Sequence, residues 1–392
     1  MVLGDLGRIV TGKTPSTSVP DYFGGDVPFV TPTDMDGRKT ISRTERMLTK
    51  AGVAAVKGSF IPKGSVMVSC IGSDMGKVRI AARDCVSNQQ INSIVVSDPF
   101  SADFVYYSLS TRKVELQSLA CSGSAQPILN KGHFSELPIL LPPLPEQWAI
   151  ASVLGALDDK IELNRRMNET LEALAQSLFK PWFVDATQSA LPKGWREGTL
   201  GEVAENSRRG VQPDEFEPAT PYIGLEHMPR RCIALSDWGH GDDLESNKFQ
   251  FKRGEILFGK LRPYFHKVGV APLDGVCSTD ILVIRPKEPE WFGFVLGHVS
   301  SVELVNHTDS ASTGSKMPRT NWGDIARYEV TLPPKKLAAD FAERIRPLVE
   351  RMISNIHESR TLAALRDALL PKLLSGELRV PAAELSQMAE VR

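Results

Sequence analysis

The 392 residues include 46 Lys and Arg against 47 Asp and Glu, with 42% hydrophobic and 24% charged positions. This is the profile of a globular protein of two or three domains. A net charge of −1 excludes a globally basic nucleic-acid binder, so any DNA-facing surface must be local. No apolar run approaches the roughly 20 residues that span a bilayer, and the opening MVLGDLGRIVTGKT lacks the apolar core of a signal peptide. The five cysteines (Cys70, Cys85, Cys121, Cys232, Cys277) are scattered, with no CxxC pair. That suits a reducing cytoplasm and argues against a structural metal.

Residues 1–141 read as a mixed α/β domain. Short apolar runs at Val27–Val30, Ser65–Cys70, Val78–Ala81 and Ile91–Val96 are bounded by Gly, Pro and Asp, the punctuation of strands. Phe104–Leu119 has helical spacing, CSGSAQPILN (121–130) is a small-residue loop, and Leu137–Leu141 is expected to be a last strand. A long helical segment follows over 142–185, with Pro145 in its first turn and Pro181 closing its regular part. A second domain is expected over 186–332, a second helical segment over 333–380, and a frayed tail over 381–392.

The second half repeats the first. Shifted by 191 residues, LPPLPEQWAIASVLGALDD falls on LPPKKLAADFAERIRPLVE without a gap. The preceding domains match at an offset of 190, where PKGSVMVSCIGSDMGKVRIA (62–81) lies on KRGEILFGKLRPYFHKVGVA (252–271). Turn glycines and apolar pattern are shared, whereas most polar residues differ: one fold carrying two surfaces. A period this long is a duplicated half-protein, not a solenoid repeat.

The helices carry an apolar stripe at spacings of three and four, the coiled-coil pattern. One seam is Ile150, Leu154, Leu157, Ile161, Asn164, Leu171, Leu174 and Leu178; the other is Phe341, Ile345, Leu348, Met352, Asn355, Leu362, Leu365 and Leu369. Asn164 and Asn355 occupy the same position, where a buried Asn fixes register. A helix of about 38 residues is roughly 57 Å long, too long to serve its own domain alone, so the two helices are expected to pack on each other.

Among candidate sites, Gly7–Thr14 satisfies the phosphate-loop pattern G-x4-G-K-T. That loop needs a helix immediately after it, and Pro15 followed by Ser- and Pro-rich sequence argues instead for a strand and a glycine turn. No Asn/Asp-Pro-Pro-aromatic loop, nucleophile elbow, HExxH or paired histidines occur, so no catalytic site is expected. The remaining signal is polar. Lys77 and Lys267 occupy matched positions and are candidates for phosphate, along with Lys13, Arg208, Arg209, Lys260 and Arg262. Gln89, Gln90, Asn92, Gln126 and Asn130 in the first half cluster in segments matching Thr279, Asp280, Lys316, Arg319 and Asn321 in the second. Gln and Asn suit adenine, Arg and Lys guanine, and Asp cytosine; loop and capping duty is the alternative reading.

Domain, long helix, domain, long helix, with LPPLPEQ opening the first helix, LLSGEL closing the second, and the stretches LGDLGRIVTGKTPS, PFVTPTDM, CSGSAQPILN and STDI, resembles the specificity subunit of a type I restriction-modification enzyme. The resemblance covers about residues 1–380. It implies an α+β chain of two tandem target-recognition domains whose helices pair as an antiparallel coiled coil. It implies that each domain reads one half of a bipartite double-stranded DNA target, and that the helices set the spacing and dock two methyltransferase subunits. Two restriction subunits would complete the assembly. S-adenosylmethionine and ATP would belong to those partners, with no cofactor and no catalysis on this chain. One departure stands out: Lys335, Lys336 and Ala338 replace Leu144, Pro145 and Gln147 at the second helix opening, which puts the equivalence of the two docking sites in question. A stand-alone nucleotide-binding or DNA-modifying enzyme, and an interaction scaffold that never touches DNA, are the alternative readings.

Overall fold

The computed structural model describes residues 1–72, 74–120, 128–187, 190–242, 244–312 and 317–381. It divides into two compact units, Met1–Glu162 together with the chain from Leu362, and Leu163–Thr361.

Among the described residues the first unit holds two sheets. A five-stranded sheet runs in the order Gly7–Thr11, Ile91–Val96, Val66–Ser69, Val78–Ala81, Thr40–Ile41. A four-stranded sheet runs Arg46–Leu48, Phe23–Val30, Cys85–Ser87, Phe60–Ile61. Most pairs are antiparallel; Phe23–Val30 with Cys85–Ser87 and Thr40–Ile41 with Val78–Ala81 are parallel. The central strand, VMVS, is buried at all four positions, because both of its faces are covered.

The second unit repeats this frame. Its four-stranded sheet runs Ala204–Asn206, Ile281–Pro286, Ile256–Gly259, Val268–Val270, and its five-stranded sheet runs Gly210–Val211, Lys248–Phe251, Gly275–Cys277, Pro221–Ile223, Gly239–His240. The register is the same: Val66 faces Ile94 and Ile80, and Ile256 faces Ile284 and Val270. The 190-residue offset of the sequence is thus an offset of hydrogen-bonded positions.

The long helices span Leu144–Phe179 and Lys335–Ser375. In each unit a portion of one packs on a portion of the other. In the first unit Ile150 and Leu154 share a core with Leu370 and Leu373. In the second, Asn164 Nδ2 donates to Ser359 Oγ (3.3 Å) and Asn355 Nδ2 donates to Asn168 Oδ1 (2.8 Å). Partner numbers fall as their own rise, so the pairing is antiparallel. Replacing each residue by its counterpart 191 positions away converts the first contact into the second, the signature of an isologous, two-fold contact.

Three expectations are corrected. Phe104–Leu119 is two helices, Ala102–Ser110 and Lys113–Ala120, divided at Arg112, whose guanidinium bonds Glu115 and the Pro138 carbonyl (2.7 Å). Leu137–Leu141 is not a strand; it contributes one bridge, Val2 to Pro138. Leu174 and Leu365 are exposed, because a straight helix drifts from a strict seven-residue repeat and burial passes to Ala175 and Leu370. The other seam positions are buried or half-buried, with Asn164 and Asn355 at 0% and 1% exposure.

Candidate nucleic-acid interface

The central strand of each unit ends in a turn that organises the polar candidates. In the second unit, Lys260 N donates to Asp280 O (2.9 Å), Arg262 N to Pro318 O (2.8 Å) and Thr320 N to Lys260 O (3.0 Å), while Leu261 bridges Arg319. Lys260, Arg262, Thr279, Asp280 and Arg319 therefore meet at one strand end. Arg319 lies 3.6 Å from Asp280, and both are in part open to solvent. In the first unit Cys70 N donates to Gln90 O (2.7 Å), Leu129 N to Cys70 O (2.9 Å), and Ile71 bridges Ile128. The same scaffold presents Gln89 and Gln90, with Gln89 Oε1 accepting from Thr14 Oγ1 (2.9 Å) and Gln90 Oε1 from Asn88 Nδ2 (2.8 Å). Lys13 and Arg208 are exposed just beyond equivalent edge strands. Gln126 and Lys316 lie outside the described residues.

Other candidates are engaged within the fold. Asn92 is 3% exposed; it accepts from Thr11 Oγ1 (2.7 Å) and donates to Leu129 O (3.0 Å), so it cannot present its amide to a base. Asn130 and Asn321 each cap a short helix, accepting from His133 N (2.9 Å) and Asp324 N (3.3 Å). Arg209 is committed to Glu255 at 2.6 Å, at the opposite end of the Ile256–Gly259 strand from Lys260. The matched lysines do matched work: Lys77 Nζ donates to Pro32 O (3.2 Å) and Lys267 Nζ to Leu225 O (2.5 Å). Each holds a 3-10 turn, Pro32–Asp34 or Leu225–His227. Burial, then the nearby Arg230, pushes the Lys267 ammonium below its ordinary range. Their equivalence is explained by the fold, so it is no evidence of phosphate contact.

The phosphate-loop pattern also dissolves. Gly7–Thr11 is an edge strand with no helix directly after it. Its glycines answer to packing: a Cβ on Gly7 would come 2.1 Å from Val95 O, and one on Gly12 2.0 Å from Asn88 O.

The sequence reading passed over the tip of the second turn. Arg262 and His266 both lie in the left-handed region, with φ of 50°, at a cost of roughly 1–2 kcal/mol each. Between them Pro263–Phe265 forms a 3-10 turn. Tyr264 is 49% exposed, and Arg230 stacks 4.0 Å over Phe265. The signal was present in the alignment, where the counterparts of Arg262 and His266 are Gly72 and Gly76.

No group of three metal-ligating side chains occurs among the described residues, and no described helix is long and apolar enough to cross a membrane. A cavity of about 440 Å³ in the second unit is lined by Phe179, Phe341, Leu296, Glu172 and Cys232. Burial and the Glu172 charge push the Cys232 thiol up to about 12, and burial raises the Glu172 carboxyl. Burial thus keeps the Cys232 thiol protonated, and it is not a ready nucleophile.

Comparison with known proteins agrees with this geometry. Residues 1–173 match the type I restriction modification DNA specificity domain. The type I restriction enzyme MjaIX specificity subunit of Methanocaldococcus jannaschii is 30% identical, over 96% of this chain and 92% of its own. The HindI specificity subunit of Haemophilus influenzae is 34% identical over 45% of this chain and 39% of its own. The crystal structure of a type I restriction-modification S subunit from M. genitalium shares the fold, with a TM-score of 0.55 at 18% identity and 95% of each chain covered. The chain belongs to the specificity subunits of type I restriction-modification enzymes. It is a DNA target-recognition component that acts with partner subunits, and it is not the catalytic one.

Proposed function

We propose that the chain reads a bipartite, asymmetric target in double-stranded DNA, one half-site per unit. The long helices set the gap between half-sites and dock two methyltransferase subunits. Those partners carry S-adenosylmethionine, and two restriction subunits carry ATP-driven chemistry, in the cytoplasm. The observation that supports this is the pair of strand-end turns: one hydrogen-bonded skeleton presents Gln89 and Gln90 in one unit and Lys260, Arg262, Asp280 and Arg319 in the other. A duplicated scaffold with unlike side chains is what reading two unlike sequences requires.

The test is to assemble the chain with its methyltransferase subunits and map modified bases across a genome. The expected motif has two specified blocks separated by a fixed unspecified gap; an uninterrupted motif overturns the reading. Inserting four residues beside Glu162 should alter the preferred gap or abolish binding, and unchanged binding at the original gap would remove the helices from the measuring role.

A further inference from the structure

Resting on the two-site reading, we propose that the Arg262–His266 turn is a base-reading finger of the second unit, and that Tyr264 is a specificity-determining residue packing its ring against a nucleobase. The two units build this turn on one skeleton. Met75 N donates to Gly72 O (3.2 Å) in the first, and Phe265 N to Arg262 O (3.0 Å) in the second. Both left-handed positions are glycine in the first unit, Gly72 (φ 77°) and Gly76 (φ 87°), where that backbone costs nothing sterically. In the second unit the same positions hold Arg262 and His266. A fold that glycine satisfies here has taken on two strained side chains, and strain of this kind persists where a site needs it.

The two residues differ in what they gain inside the protein. His266 is 8% exposed and its Nε2 meets Ser300 O at 2.9 Å, so its ring anchors the turn. Arg262 gains less: its guanidinium lies 6.0 Å from the Phe265 ring centroid, and its Nε is buried without a hydrogen-bond partner among the described residues. At the tip, Tyr264 is 49% exposed, and its hydroxyl has no partner among the described residues. The ring is nonetheless held. Pro263 is buried, and Phe265 stands edge-on 4.7 Å behind, itself covered by Arg230 at 4.0 Å. An exposed aromatic on a turn rooted beside Lys260 and Arg319, with Arg230 on the neighbouring Phe265, matches DNA chemistry: cations hold the backbone, and an apolar face meets a base or a thymine methyl. The counterpart turn in the first unit carries no aromatic residue, so the finger belongs to one half-site.

The experiment uses the chain assembled with its methyltransferase subunits, on a library in which each base pair of both half-sites is varied. Tyr264→Ala should lower discrimination about 10-fold or more at one position of one half-site, leaving the other half-site unchanged. Arg262→Gly, which restores the residue of the first unit, should keep or raise the melting temperature and weaken recognition of that same half-site. If both variants keep every base preference while Arg319→Ala still alters one half-site, the finger is overturned and the two-site reading stands. If the unaltered complex has no bipartite target, the two-site reading itself fails. Loss of methyltransferase assembly in Tyr264→Ala would also overturn the proposal, because it would make the tip a protein contact.

Discussion

The two stretches of paired helix are built on opposite polar chemistry. In the first unit the Tyr107 hydroxyl donates to Asp158 Oδ2 (2.6 Å), and Arg366 Nη1 donates to Asp158 Oδ1 (2.6 Å). In the second, the polar layer is mainly amides: Asn168, Asn355 and Asn164, the last also donating to Glu358 (2.9 Å). A charged cluster is sensitive to the loss of one member, because the groups left behind lose their partner. An amide layer contributes less energy but distinguishes registers, since any slip separates complementary groups. The layer on the two-fold therefore suits register, whereas the charged cluster ties the sheet-side helix Ala102–Ser110, through Tyr107, to both long helices.

Removing the charge should have the largest effect. Asp158→Ala takes the acceptor from the buried Tyr107 hydroxyl and leaves Arg366 with Asp367 alone (2.8 Å), and should destabilise the first unit by about 2–4 kcal/mol, seen in urea unfolding; a loss below ~1 kcal/mol would show that the cluster is solvated. Next comes the amide layer. Asn355→Ala should cost about 1–3 kcal/mol by unpairing Asn168. Asn168→Leu with Asn355→Leu should be neutral or stabilising yet loosen register, read as altered disulfide capture between engineered helix cysteines. Unchanged capture would take the register role away from the amides.

The second unit adds a pH dependence. Burial holds the His298 imidazole down to about 4 from its ordinary 6.5. The fold keeps it neutral while the unfolded chain takes up a proton below about 6.5, so stability is lost as pH falls from 6.5 toward 4. His298→Phe should flatten that limb of the melting profile, and an unaltered slope would assign it to other groups. The smallest effect concerns Lys77 and Lys267. Replacing either by Met should cost about 0.5–1.5 kcal/mol and leave the salt dependence of DNA binding unchanged. A slope reduced by about one unit would restore a phosphate contact.

The sequence showed the duplication, the central strands and the helix stripe because apolar period and glycine turns are local signals. Leu174 and Leu365 were misplaced because a stripe written at fixed three-four spacing ignores helix drift. Asn92, Asn130 and Asn321 looked like base readers because composition cannot say whether an amide meets a helix N-terminus, a carbonyl or solvent. Lys77 and Lys267 were conspicuous for a true equivalence, but its cause is an internal carbonyl, which only tertiary structure reveals. Gln147 belongs to the same class. Within LPPLPEQ it is 2% exposed and donates to Pro142 O (2.9 Å), and its counterpart Ala338 is fully buried, so this part of the departure at the second helix opening is internal.

The first unit has a consequence for synthesis. Its core is closed by Leu370, Leu373 and Val380, which emerge from the ribosome some 200 residues after Glu162. At typical elongation rates the interval is roughly 10–40 s, during which the second unit can form first. The portion of the chain made earliest is therefore the last to be completed, and its unfinished apolar face is where a chaperone should be found on the nascent protein.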